Sequence, residues 1–330
     1  MIFCSSKLRK SIILFLFSVF SVEAAFSKTS LSVTPVFGFM NGTLDEIIYR
    51  SFSDKKISLL EWEKKYFYAG GKIDFSIGNF NSKIQFTSNV HDGFGEMRDS
   101  DWLNLFNSLM KTTYSVGDVE SRNNFNTEVE FSYDFKIVPK IHILPVFQFQ
   151  YAFDYFYRNK YAEGWYGQSE YSSDGEDHFW YDEEAKKFPY TYYNDIEGKY
   201  KTVRLAPISY YRHSYFVWYG AKVKFDLSEK FQSSFGAFYS PFSYFESLDT
   251  HFGSNTKYKM IQKNYFSQFK FLWNVNYDFT KRLSLDFSLQ MIFDRISKGN
   301  LIVGGDLSSQ KSSSTVTEFS SVLGLKIKLF

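Results

Sequence analysis

Cysteine is all but missing: Cys4 is the chain's single thiol, and it sits ahead of an apolar run near the N-terminus. From that position it cannot serve as a lipoprotein acylation site, and the rest of the chain can form no disulfide. After residue 24 no stretch of eighteen apolar residues occurs, so no helix is available to cross a bilayer. Neither charge sign is in excess, with Lys+Arg 38 against Asp+Glu 36, so nothing points to nucleic acid as a partner.

What the N-terminus does contain reads as an export signal. Lys7, Arg9 and Lys10 precede the twelve-residue apolar run 11–22, which is too short to span a membrane as a helix. Val22-Glu23-Ala24 then offers small residues at the −3 and −1 positions of a cleavage site. The expectation is a signal peptide over 1–24 and one domain over 25–330; an uncleaved anchor helix is the alternative.

Aromatics are abundant. Phe 39, Tyr 25 and Trp 6 make up 21% of a chain whose mean hydropathy is −0.30. Aromatics interleaved with polar residues suit a wall that meets lipid on one face and water on the other. The interleaving is regular. Val129, Phe131, Tyr133, Phe135 and Ile137 alternate with Glu128, Glu130, Ser132, Asp134 and Lys136, and all odd positions from Phe147 to Tyr157 are aromatic. Phe269 to Phe279 and Leu283 to Phe293 repeat the pattern. Side chains on a strand point alternately to its two faces, so each run has one apolar and one polar side.

Short links near 78–81, 138–140, 226–230 and 278–282 alternate with longer polar stretches near 40–60, 93–124, 159–201, 248–258 and 296–315. Four short turns and five long loops give ten strands. The expected fold is all-β: a ten-stranded antiparallel transmembrane β-barrel with long extracellular loops and short periplasmic turns. Closure leaves no sheet edge unpaired in hydrocarbon. A soluble β-sandwich is the alternative. The final residues support the barrel only in part, because Leu325, Ile327 and Leu329 are out of phase with the terminal Phe330.

The chemistry-bearing residues are few. Of His91, His142, His178, His213 and His251, His178 closes an acidic stretch (174–178) without regular metal-ligand spacing, so a solvated loop is the reading there and no metal site is expected. No G-x-S-x-G or H-E-x-x-H motif occurs. Two clusters say more: Arg98-Asp99-Ser100-Asp101-Trp102 opens the second long loop, and Leu248-Asp249-Thr250-His251 opens the fourth. Ionisable groups two residues apart on extended backbone point to one side. An Asp beside a His can fix its tautomer and stabilise the imidazolium, which makes the His a general base, and two carboxylates opposite could orient a water for it.

The segment 38–102 resembles the omptin family of outer-membrane proteases, through Gly38, Gly42, Glu46 and Tyr49, then Leu60-Glu61-Trp62, then Gly95-Glu96-Met97 running into Arg98-Asp99-Ser100-Asp101-Trp102. The resemblance implies catalytic roles for Asp99, Asp101, Asp249 and His251, with attack by an activated water and no covalent intermediate. It implies that Glu46 lines the S1 pocket for a basic P1 side chain, and that Ser247 stands where the family has a second acid. It also places a lipopolysaccharide site on strands five and six. The family's aromatic-x-Glu-x-Arg run is Tyr151, Phe153 and Tyr155 here, and its strand-six arginine falls at Arg212 or His213. Dependence on lipopolysaccharide is therefore doubtful, and no other cofactor is implied. The expected protein acts in single copies on polypeptides at the cell surface, held in outer-membrane lipid with the site facing outward. A non-enzymatic adhesin or small channel on the same scaffold is the alternative. A lipid-directed enzyme would want a Ser–His pair near the lipid-facing rim, and none is found.

Overall fold

The computed structural model describes residues 29–103, 111, 113–158, 161–166, 169–171, 177–179, 191–194, 199–205 and 207–330. The expected signal peptide and the side chains of 174–178 lie outside the described residues.

Ten antiparallel strands close into a ring. They are β1 (Thr29–Tyr49), β2 (Lys56–Ile77), β3 (Phe80–Asn89 continuing as Gly93–Asp101), β4 (Thr113–Ser121 and Phe125–Tyr133) and β5 (Ile141–Arg158, extended by Tyr161–Tyr166). There follow β6 (Lys199–Leu205 and Ile208–Asp226), β7 (Phe231–His251), β8 (Thr256–Asn264 and Gln268–Asp278), β9 (Leu283–Asp294 and Gly299–Val303) and β10 (Asp306–Lys328). Each pairs with its sequence neighbours, and β10 pairs with β1 from Lys328↔Ser32 up to Lys311↔Tyr49, so the sheet has no edge. A hydrogen-bonded ring is the form in which a sheet can meet hydrocarbon on its outside.

The two faces differ as the alternation requires. Phe37, Phe86, Phe149, Phe235, Phe271 and Leu323 point out and are exposed on the barrel's flank. The inward phase of the lower barrel is charged and paired: Lys64 binds Asp154 (2.7 Å) and Glu318, Lys83 binds Glu130 (3.2 Å), and Lys72 binds Asp286. These pairs line a cavity of about 310 Å³. Gly38 has no side chain because the Tyr68 ring lies across it, with its hydroxyl donating to the Ser321 carbonyl (3.2 Å). The turn after β2 is made by Gly78, whose φ of +57° is the left-handed conformation that glycine adopts without strain.

One expectation needs correction. The outward stretches read as long loops near 40–60, 93–124, 248–258 and 296–315 are mostly strand; β1 and β2 are joined by 50–55 alone, β7 and β8 by 252–255, and β9 and β10 by 304–305. The strands carry on past the lipid-facing belt. There the outer face turns polar, as in the facing pairs Asn41↔Lys65, Thr43↔Glu63 and Asp45↔Glu61. With both faces polar or mixed the alternation disappears from the sequence, although the backbone stays paired. Irregularities at 90–92, 122–124, 265–267 and 295–298 interrupt β3, β4, β8 and β9 below this upper section.

Candidate active site

Glu46, Asp99, Asp101, Asp249 and His251 all lie on the inward phase of the upper barrel. Register fixes this: Glu46 faces Leu60, Leu60 faces Asp99, and Met97, two residues below Asp99, is packed against Trp62 in the interior. On the other wall Asp249 lies between Tyr210 and Tyr258, and His251 between Ile208 and Thr256. The two clusters therefore sit on strand ends, not on loops as the sequence suggested. Strand ends hold side chains more firmly than loops do.

The floor beneath them is apolar. Leu44, Leu60, Trp62, Met97, Phe156, Ile208, Tyr210, Met260 and Leu301 form one buried cluster across the lumen. Trp62 stacks on Tyr210 and tilts against Phe156, each at 5.5 Å between ring centroids. This cluster lies above the ion-paired lower barrel, so the groove above it is closed below.

The dyad is formed. His251 Nε2 donates to Asp249 Oδ2 at 2.7 Å, and the imidazole edge rests on Tyr258. With the Nε2 proton held there, Nδ1 carries the lone pair. Asp249 is buried, whereas 34% of the His251 side chain is exposed, so the imidazole is the reachable member. On the facing wall Thr113 Oγ1 donates to Asp101 Oδ2 at 2.6 Å. Trp102, beside it, carries the Lys56 ammonium over its ring at 4.0 Å.

These groups stand in the upper section, where the outer face is polar, beginning at the height of Asp45 and Glu61, and clear of the lipid-facing belt. Their protonation is mutually tuned. Burial, then the neighbouring Asp101, raises Asp99 to about 7, against the opposing pull of His251 and Arg158. Burial also raises Asp249, although the His251 hydrogen bond works the other way. For His251 burial favours the neutral ring, but the Asp249 hydrogen bond and the charges of Asp249 and Asp99 outweigh it, so the net shift is upward. Glu46 is raised well above its usual range by complete burial and by the nearness of Asp249 and Asp99. Both of its carboxylate oxygens lack a hydrogen-bond partner among the described residues.

Ser247 lies on β7 two residues below Asp249, buried, and faces Arg212 across the β6–β7 pair. Glu46 and Ser247 are thus beneath the dyad but sealed from solvent. The strand-six ambiguity resolves: Arg212 is interior, its guanidinium over the Phe245 ring at 4.0 Å, and His213 is exterior, bonded to the Tyr151 hydroxyl at 2.8 Å. Sequence reasoning missed Arg158. It is buried on the inward phase of β5, two positions after Phe156, and its charge bears on Asp99, Asp249 and His251. The aromatic alternation over 147–157 already assigned even positions to the interior, so the signal was present. Among the described residues no group of three His, Cys, Asp or Glu side chains could hold a metal ion.

No protein-family model matches the chain, and no curated protein matches it in sequence. Among solved structures, the outer membrane protease OmpT from Escherichia coli matches with a TM-score of 0.74 at 14% sequence identity, covering 91% of this chain and 97% of that one. The translocator domain of the autotransporter NalP from Neisseria meningitidis covers 97% of this chain and 95% of its own, at a TM-score of 0.37 and 8% identity. The likeness to OmpT is one of fold: this chain is an outer-membrane-type β-barrel of ten strands.

Proposed function

We propose that the protein is an endopeptidase of omptin type in a bacterial outer membrane, with its groove facing outward, hydrolysing exposed polypeptides near basic residues. The observation that carries the reading is the 2.7 Å bond from His251 Nε2 to Asp249, which leaves Nδ1 as the base of a partly exposed imidazole, with Asp99 and Asp101 on the other wall. In this mechanism His251 Nδ1 takes a proton from a water held by Asp99 and Asp101, and the resulting hydroxide attacks the peptide carbonyl. The imidazolium, stabilised by Asp249, then returns the proton to the leaving amine. Glu46 and Ser247, both buried below the groove, take a basic P1 side chain once the substrate displaces the side chains that cover them. Lipid of the outer membrane surrounds the lower barrel, and the active form is a monomer.

The non-enzymatic alternatives fare less well. A channel needs a continuous lumen, whereas Leu44, Trp62, Met97, Tyr210 and Leu301 fill it. An adhesin has no use for an imidazole–carboxylate pair inside a groove. The test is to refold the chain in detergent and assay it against a peptide library with and without lipopolysaccharide. Cleavage products clustered at Arg or Lys support the reading, and no cleavage in either condition contradicts it.

A further inference from the structure

Arg158 stands where the apolar floor gives way to the groove, and register sets its place. It faces Ile208 on β6, and Ile208 faces His251 on β7 from its other side. Arg158 and His251 are therefore on the same inward face with one strand between them, their backbones two strand spacings or about 10 Å apart. Two positions below Arg158, Phe156 belongs to the floor, tilted on Trp62 at 5.5 Å and 6.3 Å from Tyr210 between ring centroids. Arg158 itself is only 3% exposed.

A guanidinium stays protonated at any pH the protein meets. Buried above an apolar floor, its charge has to be balanced by carboxylates. The upper interior supplies them: Glu46 on β1, Asp99 and Asp101 on β3, and Asp249 on β7. Other titratable or charged groups around this space are Lys56 and Lys111, over the Trp102 ring at 4.0 and 5.5 Å, Tyr210 on β6, and Tyr258 on β8 against the His251 ring. Charges lower in the barrel are matched among themselves. Asp154, a full step down β5, binds Lys64 at 2.7 Å, and Arg212 has Asp294 at 3.6 Å.

The effect of Arg158 has one sense across the site. It favours ionised Asp99, ionised Asp249 and neutral His251. That is the protonation pattern in which carboxylates can orient a water and an imidazole can take its proton. Burial of both aspartates, and the crowding of Asp99 by Asp101, push the carboxylates the other way.

We infer that Arg158 is a positioning residue of the hydrolytic site: the fixed cation that keeps Asp99 and Asp249 charged and the His251 ring neutral, so that water and base are held ready for attack. Its consequence for turnover rests on the peptidase reading; the charge relationship itself does not.

Two readouts test it, and one of them needs no activity. The full chain is refolded in detergent, with folding of each variant checked by heat-modifiable gel mobility. The His251 ring is titrated by NMR of carbon-13-labelled histidine, its signal assigned by its loss in His251→Ala. In Arg158→Met, or in Arg158→Gln where the methionine variant does not refold, the His251 midpoint should rise by roughly half to one pH unit, the effect of one charge at about 10 Å in a medium between protein and water. The acid limb of the kcat profile should move with it, leaving the variant ~3–10-fold slower than wild type near pH 6 and about equal to it near pH 9. Arg158→Lys, which keeps the charge, should restore both midpoint and limb. An unmoved His251 midpoint overturns the inference whatever the activity. So does a loss of rate by the same factor at every pH, which is what a merely structural arginine would give. A raised midpoint in a protein that cleaves no peptide would uphold Arg158 as the cation that sets the cluster and remove the peptidase reading alone.

Discussion

Arg212 and His213 are consecutive on β6 and face opposite sides of the barrel wall. The guanidinium is buried over Phe245, and the imidazole is outside, bonded to Tyr151 and packed on Phe153 at 4.9 Å between ring centroids. The exterior patch at this height is therefore aromatic, built of Tyr151, Phe153, Tyr211, His213 and Tyr215. None of these five side chains is a guanidinium; Arg122, over the Tyr157 ring at 4.7 Å beyond the patch, is already bound to Glu120 and to Asp92 (3.2 Å), and Glu246, which faces His213 across the β6–β7 pair, is bound to Lys259 at 2.6 Å.

Activity should accordingly depend weakly, or not at all, on lipopolysaccharide. The check is the peptidase rate of protein refolded in detergent as lipopolysaccharide is titrated in. A protein inert until the lipid is added would show that the aromatic patch binds it by other means.

Arg212 should be costly to remove. Its charge is compensated by Asp294 at 3.6 Å, and both side chains are buried. Arg212→Met strands a buried carboxylate and should destabilise the barrel by ~3–5 kcal/mol, whereas Arg212→Met with Asp294→Asn should recover most of that loss. Urea unfolding in a defined detergent reads both. Equal loss in the single and double variants would mean that the pair does not act as a pair.

The P1 pocket should favour a basic side chain less sharply than two acids would. Glu46 offers one carboxylate, worth ~1.5–3 kcal/mol in a charge-assisted contact, and Ser247 offers only a hydroxyl. Ser247→Asp should raise the Arg-over-Gln ratio of kcat/KM by roughly tenfold, about 1.4 kcal/mol, and Glu46→Gln should nearly abolish the preference. Because burial, Asp249 and Asp99 hold the Glu46 carboxyl well above its usual range, the ratio should grow as pH rises and Glu46 ionises. An unchanged ratio in Glu46→Gln would take Glu46 out of the pocket.

Much of this was legible in the residues. A period of two over 147–157, 269–279 and 283–293 is sufficient for lipid-facing strands, since only one phase tolerates hydrocarbon. The spacing Asp-x-Asp and Asp-x-His already put each pair on one face. The upper strands were not legible, because above the membrane the outer phase becomes Asn41, Thr43 and Asp45, and a strand wet on its outer face has no hydrophobic period. Nor was the placement of Arg212 against His213. A one-residue slip exchanges interior for exterior, and only the pairing of β6 with β5, Arg212 with Asp154 and His213 with Phe153, decides it.

The most direct test of the site is the rate of peptide cleavage by wild type and His251→Ala as a function of pH. Burial opposes the charged imidazole, but its bond to Asp249 and the nearby carboxylates raise it net above its usual 6.5, and Asp99 is raised to about 7. Both groups must be deprotonated to act. Wild-type kcat should therefore fall as pH drops through about 7 and recover above it, and His251→Ala should lose ~10²–10⁴-fold at every pH. Undiminished turnover in His251→Ala, or wild-type activity that stays flat down to about pH 5, would contradict the assignment of His251 as the base.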